Sequence, residues 1–425
     1  MRFRTLPLSQ RGGLSYLLGT LMFVSVAGLP AYGQSNSSPG ATTEQSLEEL
    51  IERNEEFDTF GWPAKGRFNP FPQVLNRYEK LNRDLWNDFG FTYFFKPTVI
   101  AQASTRPDRN WTASYQHNVL LYWRMLQSET LGTASIVANG LQIRQLTNTT
   151  GVDFTQSLGI NFTSSDSVAD SDSLKALYLR YDLPGGAANI RFGQHELAGI
   201  LGGCAYSCDD TSSFMSGPLS AYPASTLPGQ GMGFAGGVEL GGGVSLEAGI
   251  ADARGNGHLN PGRPFDSGEW GYAAAAKLSN PFAATGDGQI KAAYYFVDET
   301  FKGTSKRQAS TQGVNFIVEQ DIGAFGVFAR YGASWGRKGA VDHAAAGGVV
   351  WKEPFGNDED WLGAGLGWVA PTAQNSNNEY VAETFYRLQL TPLVAATTGV
   401  MAIGNPSNIS SDLEGVLNFR VQAFF

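Results

Sequence analysis

The chain has 425 residues and a formal net charge of −9, with 30 Lys and Arg against 39 Asp and Glu. This acidic balance argues against a nucleic-acid-binding protein, because phosphate backbones are bound by clustered Lys and Arg. Glycine accounts for 52 residues and aromatic residues for 12% of the chain, while the mean hydropathy is only −0.18. Abundant Gly and aromatic residues at modest hydropathy are typical of a barrel whose strands are apolar on one face only.

The N-terminus predicts export from the cytoplasm. Arg2, Arg4 and Arg11 accompany an apolar stretch at 14–29, and Ala31-Tyr32-Gly33 places small residues at both positions of a cleavage site. The apolar stretch is short for a spanning helix. We therefore expect a signal peptide at 1–33, and the alternative is an uncleaved anchor.

Residues 34–88 are not strand-like and predict a linker followed by a helical segment. The polar residues of 34–44 are typical of a flexible linker. Apolar residues at helical spacing predict one helix at 46–57, and a second short helix is expected at 74–86. This segment is expected either in the periplasm or inside the lumen of a barrel.

From residue 89 to 425, apolar and polar residues alternate with a period of two, which places them on opposite faces of strands. In the last such segment, Leu417, Phe419 and Phe425 share one face, and Glu414 and Arg420 share the other. Sixteen segments follow this pattern: 90–104, 112–125, 133–145, 174–183, 188–195, 233–240, 244–253, 270–279, 289–299, 313–321, 325–334, 346–354, 361–369, 380–390, 393–403 and 413–425. Residues 154–162 alternate weakly and are assigned to a loop, because single-chain bacterial barrels have an even number of strands. The pattern predicts an all-β fold, a transmembrane antiparallel β-barrel of about 16 strands.

The connections favour this barrel over a soluble β-sandwich, whose strands also alternate. Alternate connections are short turns, such as 322–324 and 391–392, and the others are mostly longer, such as 147–173 and 196–232. Short periplasmic turns with longer external loops are the pattern of outer-membrane barrels. We expect the protein in the outer membrane of a Gram-negative bacterium, in contact with its lipid. The terminal Phe425 is then expected at the periplasmic rim, where barrel-assembly machinery would bind it.

The inward strand positions carry charges of both signs. The candidate pore-lining or substrate residues are Arg180, Arg191, Glu239, Glu247, Glu319, Arg330, Glu383, Arg387 and Arg420. An ion-selective filter would carry mostly one sign. A mixed lining supplies hydrogen-bond donors and acceptors with little net field, which suits polyols. The alternative is that these charges are solvated and paired with one another.

The 196–232 connection is expected to fold into the lumen and set the bore. It carries both cysteines of the chain, Cys204 and Cys208, and their proximity in an oxidising compartment predicts a small disulfide loop. A metal site would need further ligands, so we expect neither metal nor cofactor. Trp and Tyr residues near strand ends, such as Trp111 and Trp361, predict girdles at the membrane interfaces, and the alternative is stacking on sugars.

The order of these segments resembles the carbohydrate-selective porins of the OprB type. The resembling runs are 177–194 (LYLRYDLPGGAANIRFGQ), 214–249, 314–332 (VNFIVEQDIGAFGVFARYG) and 383–425. The resemblance implies a sixteen-stranded barrel through which monosaccharides such as glucose and related small neutral solutes diffuse inward. It also implies that Arg and Glu near a constriction favour neutral sugars. Individual constriction residues are not matched, so the candidate residues rest on strand parity.

An outer-membrane enzyme is the main rival class. The four histidines are His117, His195, His258 and His343, and no GxSxG nucleophile motif accompanies them, so an enzyme is not expected. A pore for polysaccharide export, with 34–88 docking a periplasmic partner, and a pore for general solute diffusion are further alternatives, as is an adhesive or structural barrel. Trimers are common among general porins, so a homotrimer is considered, although no interface is readable.

Overall fold

The computed structural model describes residues 66–108, 110–160, 170–207, 211–222, 224–302, 306–336, 341–357, 359–373 and 375–425. The predicted signal peptide and the predicted helix at 46–57 lie outside these residues. Within these ranges, no helix is both long enough and apolar enough to cross a membrane.

Sixteen antiparallel strands close into a barrel, which confirms the predicted fold. The barrel strands are β1 Phe91–Ser104, β2 Trp111–Ser128, β3 Gly132–Gln145, β4 Ser171–Asp182, β5 Ala188–His195, β6 Gly231–Gly241, β7 Val244–Asp252, β8 Trp270–Ser279, β9 Gly288–Val297, β12 Thr311–Ile322, β13 Phe325–Trp335, β14 Val341–Lys352, β15 Trp361–Pro371, β16 Glu379–Thr391, β17 Val394–Gly404 and β18 Leu413–Ala423. Two further strands, β10 Thr300–Lys302 and β11 Lys306–Gln308, form a separate hairpin. The barrel closes where β1 pairs with β18, from Thr98 opposite Gln422 to Ser104 opposite Val416.

The strand alternation separates an apolar outer face from a polar inner face. In β18, Phe419 is 49% exposed, whereas the neighbouring Arg420 is 1% exposed. Ile190, Phe192 and Phe234 are exposed in the same way on β5 and β6. An exposed apolar side chain on the outside of a membrane barrel faces lipid, so these residues belong to the bilayer-facing surface.

The turns at one end of the barrel are short and those at the other end are mostly long. The turn between β12 and β13 consists of Gly323 and Ala324, and Gly323 adopts a φ of +61° that favours glycine in a tight hairpin. The connections at the opposite end include residues 146–170 and 196–230. The first end is therefore periplasmic and the second external.

The helices of the described residues lie in the segments that precede and connect the barrel strands. The second predicted helix is confirmed as α1, Pro72–Phe89, which ends at Gly90 in a left-handed conformation with a φ of +65°. The 146–170 connection contains α2, Gly151–Ser157, where the sequence predicted only a loop. Thr150 and Asp153 form a capping box at its start, which stabilises this short helix. Three short helices follow: α3 Ala198–Leu201, α4 Gly217–Ser220 and α5 Arg263–Ser267.

Candidate pore and its inner segment

The connection between β5 and β6, residues 196–230, folds into the barrel as predicted, and we call it the inner segment. Phe214 and Leu219 of this segment are fully buried against inward-facing side chains of the wall. The ring centroid of Phe214 lies 5.5 Å from that of Phe328 and 4.8 Å from that of Phe385. Apolar residues on the inner face of β13 and β16 are therefore covered by the inner segment rather than exposed to water.

Small residues on the inner face of the wall make room for this segment. Leu197 and Ile200 pack on a surface of alanines in β7, β8 and β9 that includes Ala273 and Ala275. In β15, a Cβ atom at Gly365 would come within 2.7 Å of a methyl carbon of Leu219. The small side chains at these positions of the wall therefore leave space in which the inner segment packs closely.

Two buried carboxylates among the candidate pore residues hold the inner segment by its backbone. Glu383 in β16 accepts hydrogen bonds from the backbone N–H groups of Met215 at 2.7 Å and Ser216 at 2.8 Å. Glu319 in β12 accepts one from the N–H of Ala205 at 2.8 Å and a second from the next residue at 3.3 Å. Both carboxylates are buried, so these hydrogen bonds replace the water that a charge would otherwise require.

Arg330 in β13 holds the same segment through its carbonyl oxygens. Its guanidinium donates to the carbonyl oxygens of Ser207 at 2.6 Å, of Pro218 at 2.9 Å and of Ala221. The guanidinium carbon also lies 5.1 Å from the centroid of the Tyr222 ring, a cation–π distance. One planar donor fork therefore joins three points of the inner segment that are separated along the chain.

Three further inward cations contact the inner segment. Arg420 donates to the carbonyl oxygen of Ser213, Lys291 to that of Gly202, and Lys96 to the hydroxyl of Thr211 at 3.0 Å. Lys291 and Lys96 are not among the candidate pore residues. Both lysines occupy inward positions of their strands. The sequence therefore indicates a charge inside the barrel, but it does not indicate what that charge contacts.

The structure thus places Glu319, Arg330, Glu383 and Arg420 inside the barrel, as strand parity predicts. It places them under the inner segment, because each is 7% exposed or less and contacts that segment's backbone. Direct contact of these four side chains with a solute stays a prediction. Their hydrogen bonds show that these four side chains hold the inner segment in position.

A second group of candidates forms partly exposed ion pairs near the periplasmic ends of the strands. Arg180 pairs with Asp182 at 2.8 Å along β4. Arg191 in β5 pairs with Glu247 in β7 across the intervening β6. A third pair, between Lys352 and Asp321 at 2.6 Å, was not predicted. This lining offers hydrogen-bond donors and acceptors. Each of its charges is largely compensated by the opposite charge of its ion-pair partner.

The last two candidates lie at the same end of the barrel. Glu239 is exposed near the end of β6. Arg387 in β16 donates to Gln389 Oε1 at 3.0 Å, and its guanidinium carbon lies 5.6 Å from the ring centroid of Trp361. Trp361 packs against the buried cluster of the inner segment, so this tryptophan belongs to the inside of the barrel, whereas Trp111 is exposed.

The inner segment is also cross-linked. Cys204 is disulfide-bonded, and its sulfur lies 3.6 Å from the Tyr222 hydroxyl. Cys208 lies outside the described residues. The Tyr206 hydroxyl donates to Asp321, and burial together with this carboxylate raises the pKa of the phenol above its usual value. Tyr206 therefore stays neutral and links the inner segment to the ion pair of Asp321 and Lys352.

A second connection also turns inward at the external end. Phe154 and Leu158, within and just after α2, are fully buried against Ile100 of β1 and Met401 of β17. Met215 of the inner segment belongs to the same cluster. The two connections therefore meet inside the barrel, and together they narrow its external half.

A closed sixteen-stranded barrel with an apolar outer face and a polar lumen narrowed by an inner segment defines an outer-membrane porin. Residues 122–425 match the family described as carbohydrate-selective porin, OprB family. The match spans more than half of the chain, and the protein belongs to this family. It resides in the outer membrane of a Gram-negative bacterium.

Solved structures show the same fold at low sequence identity. The high-pH structure of Pseudomonas putida OprB has a TM-score of 0.65 and 12% identity, covering 86% of this chain and 99% of that chain. The low-pH structure of the same protein has a TM-score of 0.52 and 13% identity, covering 86% of this chain and 100% of that chain. Among curated proteins, no sequence matches this chain.

Proposed function

We propose that the protein is a passive channel through which small neutral carbohydrates, monosaccharides such as glucose, diffuse into the periplasm. The observation that carries this proposal is the tethered inner segment. Buried Glu319, Arg330 and Glu383 fix its backbone to the wall, so the bore has a defined shape. The family membership supports a sugar as the solute class.

The electrostatics of the lining support neutral solutes. Arg191 with Glu247 and Arg180 with Asp182 are paired, so the lining offers little net field to attract an ion. An ion that enters a narrow lumen loses hydration without gaining a compensating field. A sugar hydroxyl both donates and accepts hydrogen bonds, so it can replace water along such a lining.

Liposome swelling tests the proposal. Purified protein is reconstituted, and swelling is followed in iso-osmotic glucose and in a charged amino acid of similar size. We expect faster entry of glucose. Equal rates would show general solute diffusion and refute sugar selectivity. Protein-free liposomes give the background, and heat-modifiable migration on gels confirms that the barrel is folded.

The proposal includes no catalytic activity, because the family and the fold are those of channel proteins. An export pore for polysaccharide gives a different result when residues 34–65 are removed, a deletion that leaves α1 in place. Intact glucose uptake together with lost release of a polymer would favour export. Intact uptake with no effect on polymer release agrees with the sugar channel.

A further inference from the structure

The helix α1 and the residues before it expose large apolar side chains to the outside of the protein. Phe68 and Val74 are each 56% exposed, Phe71 is 69% exposed and Leu81 is 47% exposed. Val74 and Leu81 are seven residues apart, which places them along one stripe of the helix, and Phe71 directly precedes its first turn. A helix surrounded by water would not present a continuous apolar stripe of this kind.

The position of this stripe is set by the barrel wall. The ring centroid of Tyr78, on the same face, lies 6.3 Å from that of Tyr93 and 6.5 Å from that of Phe425, both edge-on. Tyr93 has the outward parity of β1, and Phe425 has the outward parity that Phe419 shows in β18. The stripe of α1 therefore continues the lipid-facing surface of the barrel at its periplasmic rim.

Contacts near both ends of α1 fix its orientation on the barrel rim. Along the neighbouring edge of α1, Trp86 is 2% exposed and packs in one cluster with the inward-facing Phe94 and Tyr122. The helix thus has one edge inside the barrel and the other outside it. At its start, the backbone N–H of Phe68 donates to the carbonyl oxygen of Leu390 at 3.2 Å, next to the turn between β16 and β17.

The exposed polar face of α1 carries charges of both signs. Arg77, Lys80 and Arg83 are exposed and lie beside or opposite the apolar stripe, and Asp84 and Asp88 are exposed as well. Lys80 pairs with Asp84 at 2.5 Å. Long basic side chains can reach phosphates while their stems lie along apolar surface. An amphipathic helix with an apolar stripe and a charged polar face can lie in the membrane interface.

We propose that α1 is an interfacial helix that buries Phe71, Val74 and Leu81 in the periplasmic leaflet of the outer membrane. The bound partner is phospholipid, because the stripe is continuous with the surface that the barrel already presents to lipid. The helix then anchors the barrel rim and holds the start of β1 at the depth of the headgroups.

Spin-label accessibility tests this placement. Single cysteines replace Val74 and Leu81, with Asn76 and Asn87 as matched controls on the exposed polar face of the same helix. Labelling under non-reducing conditions preserves the disulfide of Cys204. The labelled proteins are reconstituted in liposomes of phosphatidylethanolamine and phosphatidylglycerol, and collisions with oxygen and with a water-soluble nickel chelate are measured.

We expect labels at 74 and 81 to collide more with oxygen and less with the nickel chelate than labels at 76 and 87. Equal accessibility to the chelate at all four positions would place the stripe in water and overturn the proposal. Spin–spin broadening at 74 or 81 would show that a second copy covers the stripe, which would also overturn it. Because all four residues are exposed, the variants are expected to fold, and heat-modifiable migration verifies this.

Discussion

Glu383 in β16 accepts a 2.7 Å hydrogen bond from the backbone N–H of Met215, a residue 168 positions earlier in the chain. This contact joins the barrel wall to a fully buried part of the inner segment, and a second bond from Ser216 reinforces it. A carboxylate that binds two consecutive backbone amides fixes both the position and the orientation of the peptide. The position of the inner segment therefore depends on a buried carboxylate of the barrel wall.

The first prediction concerns this contact. Glu383→Ala leaves two buried N–H groups without an acceptor, and a hydrogen bond to a charged group contributes about 1.5–3 kcal/mol. We expect a looser inner segment, a larger and noisier single-channel conductance, and a smaller ratio of glucose to charged amino-acid entry. Planar-bilayer recording and liposome swelling measure these quantities.

The control for Glu383→Ala is Glu129→Ala, which removes an exposed carboxylate in the turn between β2 and β3. That variant should behave as the wild type. Glu383→Gln keeps one accepting oxygen and should fall between the two. Wild-type conductance in Glu383→Ala would show that the inner segment does not need this anchor.

The second prediction concerns the ion pair of Arg191 and Glu247. Arg191→Ala removes a positive charge from the lining beside Glu247, so the pore should become more cation-selective and glucose flux should change. Reversal potentials in a salt gradient measure the selectivity. Arg191→Ala combined with Glu247→Ala removes both charges and should return the reversal potential towards the wild-type value.

Reversal potentials that are the same in the single and double variants would show that the pair lies outside the permeation path. Glu239→Ala is a parallel test of the exposed carboxylate of β6, and it should also change sugar flux. In each variant, retained heat-modifiable migration separates an effect on flux from a failure to fold.

The sequence was sufficient to predict the barrel but not the contacts inside it. Alternation located all sixteen strands because each must present apolar side chains to lipid. It misplaced the start of β14, which begins at Val341 rather than at 346, because Asp342 and His343 interrupt the apolar pattern near the external rim. Where a strand leaves the bilayer, pairing continues without the hydrophobic signal.

For the candidate site, parity placed Glu383 and Arg330 inside the barrel but left open whether water or protein surrounds them. The missing signal lay in their neighbours. Phe328 and Phe385 are aromatic at inward positions, and a water-filled lumen would not favour them. Apolar residues on the inner face of β13 and β16 therefore indicate a covered wall. The identity of the covering segment depends on long-range packing that local patterns do not encode.

The third prediction concerns pH at the periplasmic rim. The buried Asp360 carboxylate accepts hydrogen bonds from Arg67 at 2.5 Å, Tyr386 at 2.7 Å and the backbone N–H of Gln389 at 2.9 Å. Burial alone would raise the pKa of Asp360, but these donors outweigh it and the pKa lies below its usual value of 3.8. A depressed pKa contributes stability at neutral pH, and this contribution is lost as the pH falls through the folded-state pKa.

We therefore expect the attachment of residues 66–68 to persist at pH 5 and to be lost only below about pH 4. The protection factor of the Phe68 amide against hydrogen exchange measures it, because this amide donates to Leu390. Asp360→Asn should reduce the protection at neutral pH, whereas Asp84→Asn, in the exposed pair with Lys80, should not. Loss of protection between pH 7 and 5 would contradict the assigned role of Asp360.

The fourth prediction concerns closure of the barrel at Phe425. Its backbone carbonyl and N–H pair with those of Phe95 at 2.6 and 2.9 Å, and the two rings stack at 6.4 Å. Phe425→Ala keeps the backbone bonds but removes the ring contacts with Phe95 and Tyr78, and it removes the aromatic side chain that assembly machinery is expected to bind. We expect slower assembly and less inserted protein, with unchanged glucose flux per inserted barrel. The appearance of the heat-modifiable band with time measures assembly, and Leu413→Ala, an exposed residue at the other end of β18, is the control. Normal assembly of Phe425→Ala would show that backbone pairing alone closes the barrel, and an altered flux per barrel would show that the rim also shapes the pore.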